Sequence, residues 1–531
     1  MKFFLRVIIS LLLSNITAKA QQWSFATGDS ADTTTTRPQN IVAVSRDAVM
    51  WGNFVNPKMP WEPGFVGDYK MTEYDTAGVT GNSINITGKA YLFNAQCDDA
   101  GNYYVSGYYY DTIKFPGGFQ ETRLSGGDSP EYFIFRLDKG TLALNWFKFV
   151  GIDFSTTADN FTIKNGGLYI FVDSGGLANN LYRYDLATGS RSLILTQSAD
   201  GHVTSVQLDD NNNIYVAGSP TNTGAVNFNG HTVDVDAALS YPTYVVRYKA
   251  DGTYDWSFFT HGVTVEDRKL TIADNNEIYY SGPVNDSFSL GSYTINHAAW
   301  VYAYFVSMID STGAVQWVSQ LPDTLSGDAS VSSCHTAIGP DSSLNVISSV
   351  RDYINWGHGV ISNCNNNGTA TVVNYSTSGV VKWALSANAT YSDAERIATD
   401  GKNLWVAGMG YDSTAMKFGS FSIPSVLYHN KPYLAKINPA AIVPEQVKPI
   451  HFSYVGIHPD PATTVIHLDG DITNNSVETL RLISMSGKIL YTKRLTASVK
   501  DDIDVSTYPR GVYILEIESN GLKSQHKIIL Q

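Results

Sequence analysis

Val206-Gln207-Leu208-Asp209-Asp210-Asn211-Asn212-Asn213-Ile214-Tyr215-Val216-Ala217-Gly218 reads as two short strands joined by an acidic turn. Its flanks are β-branched and aromatic, and Asp and Asn suit a tight turn between them. The chain continues through Val226-Asn227-Phe228-Asn229-Gly230, a hairpin signal, to Tyr244-Val245-Val246-Arg247-Tyr248. Asp251-Gly252 then turns it into Trp256-Ser257-Phe258-Phe259. Strand, acidic turn, strand ending in Gly, hairpin, strand, Gly turn and Trp strand make one four-stranded unit.

That order recurs from residue 22 to residue 438. The glycine ending the second strand returns as Gly52, Gly107, Gly218, Gly282 and Gly408, with Val172 and Ser348 in its place in two units. Seven units result, with a period of about 46–66 residues, which points to propellers or arrays. A turn Gly and a Trp recur as Gly252/Trp256, Gly313/Trp317 and Gly379/Trp383, and more loosely as Gly140/Trp146. The third unit is short. Its turn is Thr188-Gly189, Leu193 stands where Trp is expected, and it has no hairpin. Four short strands per unit predict propeller blades, with the Trp residues packing between them. The seventh unit ends at Tyr433-Leu434-Ala435-Lys436-Ile437 with no Trp strand after it. Trp23-Ser24-Phe25-Ala26-Thr27-Gly28 matches the strand that begins at Trp256. The N-terminal strand is therefore expected to complete the last blade, with Trp23 beside residues 433–437, and so to remove an exposed edge.

These units resemble repeats of secreted bacterial β-propeller proteins, and the best copy is Asp98-Asp99-Ala100-Gly101-Asn102-Tyr103-Tyr104-Val105-Ser106-Gly107. The resemblance implies a fold rather than a function.

The last eighty residues differ. Three segments stand in order to the terminus: Tyr454-Val455-Gly456-Ile457-His458-Pro459-Asp460-Pro461-Ala462, then Leu480 through Gly487-Lys488, then Ile503-Asp504-Val505-Ser506 with Gly511-Val512-Tyr513-Ile514-Leu515-Glu516-Ile517 and the closing Lys527-Ile528-Ile529-Leu530-Gln531. Short β-branched runs with Gly turns predict a small antiparallel sandwich. Together the segments resemble the type A C-terminal sorting domain of proteins exported by the type IX secretion system of Bacteroidetes. The family usually has Pro-Asn-Pro where this chain has Pro459-Asp460-Pro461, a change mild in turn chemistry. The resemblance implies handling by the type IX machinery, with Pro459, Asp460, Pro461, Gly487, Gly511, Tyr513 and Lys527 as its marks. A plain immunoglobulin-like accessory domain is the alternative.

At the other end, Lys2 and Arg6, the apolar run from Val7 to Leu13 and Ala18-Lys19-Ala20 read as a signal peptide cleaved before Gln21. No stretch has the length of a membrane span. The expected layout is a signal peptide at 1–20, a seven-bladed all-β propeller at 21–438, a proline-containing linker at 439–451 and a β-sandwich at 452–531. The destination is the cell surface or the medium by way of the periplasm. A net charge of −13 without a basic cluster argues against nucleic acid. Three Cys are too few for a disulfide scaffold. Cys334 and Cys364 either pair in an oxidising compartment or stay unpaired.

Candidate sites are sparse. The acidic turns at Asp209–Asn212 and Asp274–Asn276 offer oxygen ligands to Ca²⁺ or are simply turns. Asp251-Gly252 with Trp256 does not meet the sialidase Asp-box spacing. There is no G-x-S-x-G elbow and no H-E-x-x-H helix, so catalysis is not favoured and no cofactor is expected. In a propeller the long second-to-third connections crowd one face. There the aromatics Trp61, Tyr108, Tyr109, Tyr110, Trp300 and Tyr302 either bind sugar rings or pack their own hairpins. The sequence thus favours a non-catalytic binding or adhesion module for extracellular glycan or a cell surface. A glycan-active propeller enzyme and an envelope scaffold are the alternatives.

Overall fold

The structure is a computed structural model. It describes residues 23–28, 40–57, 67–123, 130–151, 161–173, 178–198, 201–220, 224–236, 242–260, 269–284, 288–295, 303–320, 331–357, 360–364, 367–389, 391–411, 415–424, 431–442, 455–458, 461–471, 478–485, 487–495, 498–519 and 522–531. The expected signal peptide, most of the linker, Trp61, Trp300, Tyr302, Pro459 and Asp460 lie outside these residues. Among those described the chain is all strand and turn, apart from one short 3-10 turn at Pro439–Ala441. Two compact units divide at Pro444.

In the first unit the repeats form four-stranded antiparallel sheets, laid out from inner to outer strand in chain order except in the last, whose outer strand is Trp23–Gly28. The fourth repeat is typical: Gly201–Leu208, Ile214–Pro220, Thr243–Tyr248 and Tyr254–Thr260. The other inner strands are Asn40–Val44, the second half of Thr80–Cys97, Phe161–Lys164, Lys269–Ile272, Val331–Ile338 and Ser392–Thr399. All of them border one central cavity of about 320 Å³. The arrangement is a propeller. Thr80–Cys97 serves two sheets: its first half closes the first, against Gly67–Asp75, and its second half opens the next, against Tyr103–Lys114.

The ring closes as the sequence predicts. Trp23–Gly28 pairs antiparallel with Lys431–Ile437, and Ala26 stands opposite Ala435. Trp23 is buried and meets Phe418 edge-on at 5.0 Å. The motif match is nevertheless two residues out of step. In the fourth sheet Trp256 opposes Arg247, and Tyr254 opposes Tyr248 across a bulge. In the closing strand Phe25 opposes Lys436, and Trp23 opposes Ile437 across the same kind of bulge. Phe25 therefore fills the Trp256 position. Trp23 fills that of Tyr254, meeting Phe418 edge-on where Tyr254 stacks on Phe228.

The structure explains the Gly/Trp spacing. The Trp256 indole donates to Ser311 O of the following sheet at 3.0 Å, and its ring lies on Gly313, where a Cβ would come within 3.0 Å of it. Trp317 donates to Thr377 O at 2.8 Å and covers Gly379 in the same way. Trp146 donates to Leu186 O at 3.0 Å, with Gly189 beneath its ring. Gly189, Gly313 and Gly379 thus each accommodate the Trp of the unit before them. These glycines are also left-handed, with φ of 88° at Gly313 and 80° at Gly379, so a side chain would be both strained and obstructed. Leu193 has no such role, being 55% exposed.

The second unit has two sheets. One joins Val455–His458, Val465–Asp471 and Ser498–Asp504; the other joins Ile489–Leu495, Glu478–Ser484, Gly511–Ser519 and Leu522–Leu530. Ile466, Leu468, Leu480, Leu482, Ile503, Leu515 and Ile528 form the core between them. The first and third segments noted in the sequence meet, because Ala462 N donates to Ile529 O and Gln531 N to Ala462 O, each at 2.8 Å.

Candidate binding site

The inner strands leave one backbone edge facing the cavity, and buried backbone groups require partners. Side chains of neighbouring strands supply them. Gln96 donates to Phe161 O at 2.7 Å and accepts from Ile163 N at 3.1 Å. Ser205 Oγ accepts from Leu270 N at 3.1 Å. At the closing seam Glu395 Oε2 accepts from both Asn40 N, at 3.0 Å, and Asn40 Nδ2, at 2.9 Å. Burial pushes the Glu395 carboxyl up to about 7, against the opposing pull of the Asn40 donors.

Bulges set which side chains turn inward. The pairing slips between Leu92 and Asn94, Val203 and Ser205, Ser332 and His335, and Ala394 and Arg396. A bulge bends its strand and re-aims the residues beside it. It also accounts for two of the second-strand glycines. A Cβ on Gly107 would lie 2.3 Å from Tyr91 O, and one on Gly408 would lie 2.0 Å from Asp393 O. Past the bulges, Asn94, Ser205, His335 and Arg396 all line the cavity, together with Lys269. Arg396 reaches across to Phe93 O at 2.6 Å and meets His335 Nε2 at 3.1 Å.

Beside this cavity lies an aromatic cluster on the second sheet. Tyr91 and Tyr108 stack with centroids 5.2 Å apart and planes 4° from parallel. Phe93 stands edge-on to both, and Tyr110 edge-on to Tyr108. Tyr91, Phe93, Tyr108 and Tyr110 are each half-buried. Burial and the neighbouring hydroxyls of Tyr110 and Tyr91 push the Tyr108 phenol above its ordinary range. The cluster occupies the strand ends that carry the second-to-third connection, the face the sequence singled out.

Tyr109 corrects the sequence reading. It is 1% exposed, donates to Glu131 Oε2 at 2.7 Å and belongs to the sheet's core. Successive strand residues face opposite ways, so Tyr109 turns from Tyr108 and Tyr110. Tyr91, Phe93, Lys269, His335 and Arg396 were missed. The signal available was alternation along the inner strands, and the bulges shift it by one.

The disulfide is also corrected. Cys364 is a free thiol, with Sγ 3.5 Å from Ser386 Oγ and 3.8 Å from Thr371 Oγ1. Those residues lie on the third and outer strands of the sixth sheet, whereas Cys334 lies on its inner strand. Two or three strand spacings of about 4.8 Å exceed the Cα separation of about 7 Å that a disulfide spans. Cys97 is free as well. Its thiol donates to Val44 O, and burial pushes it up to about 12.

The acidic turns are held by their own carboxylates. Asp209 accepts from Asn211 N and Asn213 N through Oδ1, and from Asn213 Nδ2 and Tyr215 Oη through Oδ2. Asp400 accepts from Lys402 N, Asn403 N and Trp405 in the same manner. Asn212 and Asn276 take the left-handed position, with φ of 61° and 62°. Among the described residues no group of three His, Cys, Asp or Glu side chains is placed to hold a metal ion.

In the tail, Gly487 turns at φ 81°, and Tyr513 is buried and donates to Pro509 O at 2.6 Å. Pro461 and Lys527 are exposed. Among the described residues no helix is long and apolar enough to cross a membrane.

Residues 456–531 match the family described as "Secretion system C-terminal sorting domain". The match bears out the sorting resemblance of the tail, and with it export to the cell surface or medium through the type IX machinery. No curated protein matches the chain. Among solved structures, one from a study of two prolyl endopeptidases is 8% identical with a TM-score of 0.39, covering 97% of this chain and 58% of that one. This chain therefore spans little more than half that protein's length. A periplasmic gluconolactonase of Pseudomonas aeruginosa is 12% identical, with a TM-score of 0.37 and coverage of 83% and 96%. TolB from Acinetobacter baumannii is 11% identical, with a TM-score of 0.29 and coverage of 65% and 78%.

Proposed function

We propose that this protein is a non-catalytic binding or adhesion module. In this reading a seven-bladed ring at 21–438 follows a signal peptide at 1–20, and a linker at 439–451 joins it to the sorting domain at 452–531. The ligand is an extracellular glycan or a glycan-bearing cell surface. The observation that supports this is the half-buried stack of Tyr91 on Tyr108 with Tyr110 edge-on. Rigid aromatic faces beside an open rim suit the apolar faces of sugar rings.

A glycan-active enzyme is the second reading, favoured by Glu395, whose carboxyl is held near 7 next to Arg396. Against it, Glu395 Oε2 already accepts two hydrogen bonds from Asn40, as a strap between inner strands would.

The test is a glycan array with the secreted protein, followed by titration of Tyr108→Ala and Lys402→Ala. Lys402 sits in a first-to-second-strand turn on the opposite face. Tyr108→Ala should weaken capture by about 1–3 kcal/mol, the scale of one large apolar contact, and Lys402→Ala should not. Equal losses, or none, would remove this face as the site. Separately, a chain lacking residues 452–531 should stay inside the envelope on fractionation. Full release of that truncation would remove the sorting role.

A further inference from the structure

The cavity has a basic side. Val42, Asn94, Ser205, Lys269, His335 and Arg396 stand at one level of the ring, each opposite the second-strand residue preceding the recurrent glycine or its substitute. All six line the cavity. Lys269, His335 and Arg396 come from consecutive sheets, so the basic groups form an arc rather than a scatter. Among the described residues no Asp or Glu lines the cavity, in a chain of net charge −13.

Arg396 and His335 are held in place. Arg396 Nη2 donates to Phe93 O at 2.6 Å, and Nη1 donates to Glu395 O at 2.9 Å. Nη1 also meets His335 Nε2 at 3.1 Å. A guanidinium only donates, so Nε2 accepts and the imidazole proton sits on Nδ1. The Glu395 carboxylate is turned onto Asn40 and lies outside the cavity lining. Arg396, held by these contacts, and Lys269 place two cations inside low-dielectric walls, which attract an anion strongly.

We infer that the cavity takes a small organic oxyanion, the carboxylate or sulfate group of an acidic sugar. The inference rests on the binding reading above and adds the ligand's charge. Lys269 acts as a point charge, and Arg396, whose Nη1 is committed to Glu395 O and His335, acts through its charge and the second Nη2–H. Asn94, across the cavity, presents an amide to the sugar's hydroxyls. A volume of about 320 Å³ lies at the small end of ligand pockets, the size of a monosaccharide.

The experiment is calorimetric titration of the full chain with glucuronate, glucose 6-sulfate and glucose at low salt. At least one acidic sugar should bind and glucose should not, and which one binds identifies the acidic group. Binding should weaken as salt is raised. Lys269→Gln should lower affinity at least about tenfold at unchanged thermal stability. Arg396→Lys, which keeps the charge but loses the contacts to Phe93 O, Glu395 O and His335 that position it, should also weaken it. Acidic sugars binding no better than glucose, or Lys269→Gln binding like wild type, would overturn the inference. If Tyr108→Ala abolishes neutral glycan capture while acidic sugars fail to bind, the cavity inference falls and the rim reading stands. If acidic sugars bind through Lys269 but Tyr108→Ala changes nothing, the rim reading falls and the cavity stands.

Discussion

The seam between the fourth and fifth sheets and the seam that closes the ring follow one contact scheme with different residues. At the first, Trp256 covers Gly313 and donates to Ser311 O, while Arg247 Nη1 donates to the same carbonyl at 3.0 Å. At the second, Phe25 covers Gly78, and Lys436 Nζ donates to Thr76 O at 2.7 Å. Even the cation over a ring is repeated, Arg247 over Tyr215 and Lys436 over Trp405. The closing seam therefore obeys the ordinary rule of the repeat, although its strand arrives from the far end of the chain. It obeys it with weaker parts. Phe25 has no N–H to donate, which removes a hydrogen bond worth about 1 kcal/mol, and no peptide link holds its strand to the sheet. The closing seam should open first.

The largest test deletes residues 21–28. The ring then loses a strand and a buried Trp, and the Trp alone is worth about 3–5 kcal/mol. Guanidinium unfolding should show at least that loss. A deletion without effect would mean that the ring is held elsewhere.

A smaller effect separates the two seams. Gly313→Ala and Gly78→Ala each place a methyl at positive φ against an aromatic ring. Each should cost about 1–3 kcal/mol. In a Phe25→Ala background the Gly78→Ala cost should shrink, whereas Gly313→Ala should be indifferent to Phe25. Additive costs at Gly78 and Phe25 would break the proposed contact.

The smallest effect is a pH dependence at one seam only. Glu395 straps the closing seam, and Ser205 makes the corresponding link to Leu270 N at the other. Burial raises the folded pKa of Glu395 from 4.5 to about 7. Its contribution is therefore fully present below the unfolded value and is lost as pH rises through about 7. Melting temperatures of wild type and Glu395→Gln should draw apart across that window, with wild type falling behind as pH rises. Ser205→Ala should show no such pH term. Parallel curves for wild type and Glu395→Gln would contradict the strap.

The comparison also marks what the chain discloses by its letters. Strand order, the turn residues and the borrowed outer strand are local patterns, and Gly/Trp spacing exposes them directly. The destination of each contact is not local. Nothing in Gly313 and Trp317 indicates that Gly313 serves Trp256 of the preceding unit. The match of Trp23 to Trp256 misled because letters alone do not give the pairing register, which sets Phe25 rather than Trp23 in the Trp256 position. Tyr109 was separable from Tyr108 and Tyr110 by strand alternation alone. Lys269, His335 and Arg396 are far apart in the chain, and only the packing of consecutive sheets around one cavity makes them neighbours.

The closure itself is open to one direct measurement. Ala26 and Ala435 are cross-strand partners. Such pairs have Cα separations of about 4.5–5.5 Å, within disulfide reach. In the Ala26→Cys, Ala435→Cys double variant, mass spectrometry of an oxidised digest should find the two peptides joined, with a raised melting temperature. Two unlinked thiols under oxidising conditions, in a protein that remains folded, would place the N-terminal strand elsewhere and contradict the ring.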